Sequence, residues 1–227
     1  MTAIDIYVGI TQFIVLLLSL SVHESAHACT ADKLGDPTAR ILGRVSLNPI
    51  VHADLFGTII FPLIGLLSGI MFGWAKPVPV NLARLRNPSR DHMVIAAAGP
   101  ISNFIIAGIL FVVLMAVKLT SAGGAQALYM VMSYNLSGGN SIAMPLMALA
   151  YQGIIINLVL GVFNLIPLAP LDGAAVLSGV LPASMASAFD QIQSYGFVLL
   201  FGLLYLNIPA MLYTPVISFV LSFLFPV

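Results

Sequence analysis

Residues 13–31, FIVLLLSLSVHESAHACTA, form an apolar run suited to lipid that nevertheless carries His23, Glu24 and His27. Ionisable groups at bilayer depth are costly and usually functional. The spacing is H-E-x-x-H. On a helix His23 and His27 stand one turn apart on the same face, so two imidazole nitrogens converge on one ion. Glu24 lies about 100° round the helix, beside that ion and free to act as a base. Core histidines bonded to neighbours are the structural alternative. Two of them at this spacing around an intramembrane carboxylate point instead to a metal site.

The rest of the chain has the composition such a segment needs. Of its 227 residues 60% are hydrophobic and only 7% charged, against about 25% charged in soluble domains. With a mean hydropathy of +1.07 it reads as an all-α polytopic membrane protein in a lipid bilayer, a single membrane domain over 1–227 without repeats. The first apolar segment lacks a basic leader and carries the metal motif, so it is expected to remain as a transmembrane helix rather than be cleaved. The single cysteine, Cys29, excludes an intramolecular disulfide. It lies about 200° round the helix from His27 and is read as packing. A net charge of zero suggests no nucleic-acid partner, and the ten methionines read as core and lipid contacts.

Five to six membrane segments are expected. The first covers 4–31 and ends at Asp32, Lys33, Gly35, Asp36 and Pro37, with Lys33, Arg40 and Arg44 setting that end in the cytoplasm. The loop 36–54 alternates weakly, which predicts short strands at the membrane surface. Residues 76–81, KPVPVN, suit only an edge strand because alternating prolines forbid a helix. A small membrane-embedded β-sheet near the site is therefore expected. The segment 55–74 is apolar but broken by Pro62, Gly57, Gly65, Gly69 and Gly73. Further spans are predicted at 93–118 and 144–169, separated by an uncharged Gly/Ser/Asn-rich loop at 120–141. A short helix broken near Pro182 follows, and then apolar segments at 192–208 and 210–226, as two short helices or one kinked span.

Catalytic zinc commonly takes three protein ligands, so two histidines are not enough. Asp172 is the only acidic residue between Asp91 and Asp190, and it sits in NLIPLAPLDG at the end of an apolar span. Alone it reads equally well as a helix N-cap; with His23 and His27 it reads as the third ligand. That assignment constrains topology. If 55–74 crossed the membrane, Asp172 would emerge on the face opposite the histidines, across a hydrocarbon core about 30 Å thick. A re-entrant 55–74 brings it back to them, and leaves the basic residues on either side of that segment on one membrane face.

Three motifs in order, HESAH at 23–27, AAAGPISN at 96–103 and NLIPLAPLDG at 164–173, resemble the site-2 protease family of intramembrane zinc metalloproteases. GRVSLNPIVHADLFGT and GWAKPVPVN look like its short bacterial branch, which lacks PDZ and CBS domains. The resemblance covers about residues 20–180. It implies one zinc ion on His23, His27 and Asp172, Glu24 as catalytic base, and Asn164 assisting at the substrate carbonyl. It also implies a substrate that is the transmembrane segment of another protein in the bacterial cytoplasmic membrane, unwound against the small sheet.

Other polar residues read as structural. Asn103 and Asn157 suit hydrogen bonds between helices. His52 suits a surface pair with Asp54, His92 sits at the interface with no expected chemistry, and Arg84, Arg86 and Arg90 anchor the headgroup layer. The rival function is a metal carrier or transporter using the same site. Glu24 argues against it, since transport has no need of a carboxylate that is not a ligand.

Overall fold

A capping box starts the first helix, α1 (Ala3–Lys33). Thr2 Oγ1 accepts from the Asp5 N–H, and Asp5 Oδ2 accepts from the Thr2 N–H. The helix stops where Gly35 adopts φ 108°, with Gly35 N–H bonded to Asp32 O and Asp36 N–H to Ala31 O, a Schellman ending that favours glycine. At 31 residues it is about 46 Å long. The computed structural model describes residues 2–68, 73–133 and 143–225. Gly69 and residues 134–141 of the uncharged loop lie outside them.

Two short helices, α2 (Thr38–Ile41) and α3 (Pro49–His52), occupy the loop 36–54. A wide π turn, Leu55–Ile60, then leads into α4 (Phe61–Ser68). An extended stretch and a 3₁₀ turn at Leu82–Arg84 precede α5 (Pro88–Thr120). The remainder is α6 (Gly124–Met132), α7 (Ala143–Asn164), α8 (Asp172–Val180), α9 (Ala183–Gln193), α10 (Gly196–Tyr205) and α11 (Ile208–Leu224). Among the described residues α1, α5 and α7 are long and apolar enough to cross a bilayer, and α10 with α11, bent by 63°, makes a fourth if the two form one span.

The expected β-sheet does not form: no strand occurs among the described residues. In 36–54 local caps outweigh a weak alternation. Asn48 accepts from the Ile50 N–H with Pro49 at the first helical position, and Gly43 at φ 69° ends α2. Residues 76–81 are extended, as the prolines require, but their donors go to scattered acceptors rather than to a partner strand. The Lys76 N–H reaches His52 O at 2.9 Å, Val78 N–H reaches Glu24 Oε2 at 3.0 Å, and Asn81 N–H reaches Asp36 Oδ2 at 2.6 Å.

The bonds Lys76 N–H to His52 O and Trp74 N–H to Gly57 O bring together the two ends of 55–74, so this segment leaves and returns at one place. The described helical part, Leu55 to Ser68, is about 21 Å long, short of the bilayer core. Its start is held by Asp54 Oδ1, which accepts from the Phe56 and Gly57 N–H groups.

α1, α5 and α7 pack against one another, α5 most extensively. The α5–α7 seam buries Leu114, Met147, Ile154 and Leu158, with Leu128 of α6 and Leu224 of α11. At the other end α5 approaches α1 through Gly99. A Cβ there would lie 2.4 Å from His27 Nε2 and 2.6 Å from His23 Cε1, closer than atoms can pack. α7 ends at Asn164, earlier than the predicted 169, because Pro167 and Pro170 cannot continue it. Asn207, at φ 56°, marks the bend between α10 and α11.

Two predictions arise from this packing. Gly99→Ala forces the imidazoles apart at an overpacking cost of about 1–3 kcal/mol and is expected to weaken zinc binding at least about tenfold. Gly108→Ala, on the same helix with nothing within 4 Å of the added Cβ, should leave it unchanged in equilibrium dialysis. The second concerns Asp36, which is fully buried. Burial opposes its ionisation, but the Thr38 hydroxyl, the Asn81 and Thr38 N–H groups and the Arg84 charge outweigh that and hold its carboxyl below the ordinary range. Its stabilisation is therefore complete above the unfolded pKa of about 3.9 and lost as pH falls through the lower folded value. Thermal unfolding in detergent should find Asp36→Asn less stable than wild type at pH 7, with the gap closing below about pH 4.

Candidate metal centre

Two elements deliver the three ligand atoms. α1 supplies His23 and His27 one turn apart, and the first residue of α8 supplies Asp172. His23 Nε2 and His27 Nε2 are 3.1 Å apart, and Asp172 Oδ2 lies 3.1 Å from the first and 3.4 Å from the second. A tetrahedral ion with bonds of 2.0–2.1 Å separates its ligands by about 3.3 Å. The triangle is therefore the size of one face of a zinc coordination shell. Among the described residues this is the only cluster of three or more His, Cys, Asp or Glu able to hold an ion, and both histidines are buried.

Donor chemistry points the same way. His27 Nδ1 is 2.7 Å from the Ile95 main-chain oxygen, an acceptor only, and His23 Nδ1 is 2.6 Å from Asn103 Oδ1. Each ring thus carries its proton on Nδ1 and turns an Nε2 lone pair toward the other. Asp172 Oδ2 is buried without a hydrogen bond. Three buried acceptors facing one another repel unless a cation lies among them. A metal ion satisfies all three, and the residues present fit zinc.

Glu24 points into the same cavity as the cluster, of about 1000 Å³. It is half-buried and held by the Val78 N–H. Asn164 also lines this cavity, but its amide donates to Leu160 O at 3.0 Å, so it is near the metal triangle without touching it. His92, expected to be a bare interfacial residue, lines the cavity too. Its position one turn before Ala96 on α5 was the available signal. His52 is buried rather than at the surface; its Nε2 donates to Ser46 O at 2.7 Å, while Asp54 caps the π turn. Cys29 is no part of the cluster. Part of the cavity wall comes from α9 and α10 through Phe189, Gln193, Phe197 and Phe201, a stretch without a motif that sequence reading left unassigned.

The comparisons agree with this chemistry. The model for "Peptidase family M50" matches residues 11–205. The chain is 40% identical over 185 residues to "Putative zinc metalloprotease YwhC" of Bacillus subtilis (strain 168), covering 82% of this chain and 75% of that protein. It is 28% identical over 201 residues to "Putative zinc metalloprotease Rip2" of Mycolicibacterium smegmatis, covering 87% and 68% respectively. No solved structure gives a significant match. With a matched domain over most of its length, and a buried two-histidine, one-carboxylate cluster among membrane-length helices, the chain belongs to peptidase family M50 and is a membrane zinc metalloprotease.

Proposed function

We propose that the protein is an intramembrane endopeptidase that hydrolyses a peptide bond within the transmembrane segment of another membrane protein, near the cytoplasmic face. The observation that carries this reading is the meeting of three acceptor atoms 3.1–3.4 Å apart on the wall of a large cavity that Glu24 also lines. In this reading the whole chain is one membrane domain of the bacterial cytoplasmic membrane. Lys33, Arg40, Arg84, Arg86 and Arg90 cluster in sequence around the cavity end of α1 and α5, in keeping with a cytoplasmic location. The segment 55–74 is re-entrant, its two ends tied to each other.

His23, His27 and Asp172 hold the zinc ion. When bound, it supplies a Lewis acid that brings the pKa of a water to about 7 and polarises the scissile carbonyl. Glu24 is the general base: it takes a proton from the attacking water and returns it to the leaving amine. Its carboxylate is steered by the Val78 N–H, which bonds one of its two oxygens. Asn164 assists at the substrate carbonyl by turning its amide from Leu160 O.

The substrate must be extended to be cut, since a helical peptide bond is shielded and its carbonyl already bonded. The stretch 75–80 supports this. The Trp74, Lys76 and Val78 N–H groups are all engaged on one edge, and Pro77 and Pro79 have none to offer on the other. That second edge presents mostly carbonyls. An extended substrate would pair through its own N–H groups and keep its carbonyls free for attack.

Cleavage of a panel of single-span substrates by purified protein in liposomes tests the reading. Wild type is expected to cut and a chelator to stop it. Glu24→Gln should keep stoichiometric zinc while cleavage falls by about 10² or more. Asn164→Ala should also keep zinc and cut more slowly, through kcat. Wild-type cleavage by a zinc-loaded Glu24→Gln would overturn the assignment of the base, and zinc flux that survives this change, without cleavage, would favour a transporter.

A further inference from the structure

Behind His23 runs a buried polar chain through all three long helices. His23 Nδ1 lies 2.6 Å from Asn103 Oδ1 on α5; Asn103 Nδ2 donates to Asn157 Oδ1 on α7 at 2.8 Å. Asn157 Nδ2 in turn donates to Ser19 Oγ of α1 and to Gly153 O, both at 2.8 Å. Asn103 is 0% exposed, Asn157 1% and Ser19 3%, so no water competes for these bonds.

A side-chain amide can present either its oxygen or its nitrogen, and its surroundings decide which. Here the decision is made at the far end. The Gly153 carbonyl only accepts, so Asn157 must turn its NH₂ group to it. The Asn157 oxygen then faces Asn103, which must answer with its own NH₂. The Asn103 oxygen is left facing His23, and that ring must donate from Nδ1. Reversing any one amide would set donor against donor or acceptor against acceptor in an apolar interior, at a cost of about 1–3 kcal/mol.

We infer that Asn103, held by Asn157, is a positioning residue for the metal site: it fixes the His23 tautomer and ring plane so that the Nε2 lone pair faces the metal. The inference rests on the reading of His23 as a zinc ligand. His27 has the equivalent support from a main-chain oxygen, Ile95 O, which needs no orienting. His23 alone depends on a side chain, and α7, which supplies no metal ligand, thereby acts on the site. Interhelical packing by Asn103 would explain its burial, but not an order of donors that runs in one sense from Gly153 to the ring.

The test compares zinc affinity, by chelator competition in detergent, and the visible spectrum of the Co²⁺-substituted protein for wild type, Asn103→Leu and Asn103→Asp. Asn103→Leu removes the acceptor at similar volume; it should bind zinc about 10- to 100-fold more weakly and alter the Co²⁺ bands. Asn103→Asp keeps an oxygen for Nδ1 but loses the NH₂ that answers Asn157 Oδ1, so it should restore the Co²⁺ bands and only part of the affinity. A folded Asn103→Leu with wild-type affinity and spectrum overturns the inference, as does an Asn103→Asp no better than Asn103→Leu. If the leucine variant does not fold, zinc-loaded wild type labelled with ¹⁵N-histidine decides. Two slowly exchanging Nδ1–H signals that move when Cd²⁺ replaces Zn²⁺ are expected, and a single one overturns the inference. Wild type that binds no zinc would instead overturn the metal assignment itself, and the inference with it.

Discussion

Three lone-pair-bearing atoms held within 3.4 Å of one another, in a protein whose surroundings are lipid, is the condition on which the rest of this structure turns. Without a cation the arrangement is repulsive, and without precise support the atoms would swing apart. Each feature nearby answers one of those two needs. The Ile95 oxygen and Asn103 lock the rings from behind, and Gly99 lets α5 come close enough to provide those locks. The short helix α8 begins at Asp172, so the carboxylate enters on a fixed backbone rather than a long loop.

A second requirement is that polar backbone inside a membrane be satisfied from within. In the segment 55–74 the described ends meet it by bonding to each other and through the Asp54 cap. The extended stretch after it meets it less regularly, by giving its donors to His52 O, Glu24 and Asp36. One consequence is mechanical coupling. The exit of α1, through Asp36, and Glu24 are both tied to residues 78–81, so the segment that would guide a substrate also aims the group that would activate water.

Much of this was legible in the chain itself. The first helix and the spans near 93–118 and 144–169 appear as α1, α5 and α7, because long apolar runs in lipid have few alternatives to helix. The break at Pro182 and the bend at Asn207 also follow from residue chemistry. The strands did not appear. Weak alternation over nine residues is a poor signal beside an Asn-Pro start and a glycine stop, and two prolines guarantee extension without guaranteeing a partner. Helix α6 within the uncharged loop went unread because glycines and serines flank it and its apolar core is short. His92 and the α9–α10 wall were missed for a different reason: lining a cavity is a property of neighbours, and no local pattern reports it.

The sequence by itself determined the chemistry: two histidines at helical spacing, a carboxylate between them, and a lone aspartate at the end of a later span are a complete set for zinc. Only the tertiary structure decided how that set works. The order of donors from Gly153 through Asn157 and Asn103 to His23, and the hold of Val78 on Glu24, join residues 54 to 80 positions apart along the chain where they cross from one segment to another. Hydrogen-bond direction depends on what stands opposite each amide, and what stands opposite is set by how helices pack, not by which residues adjoin.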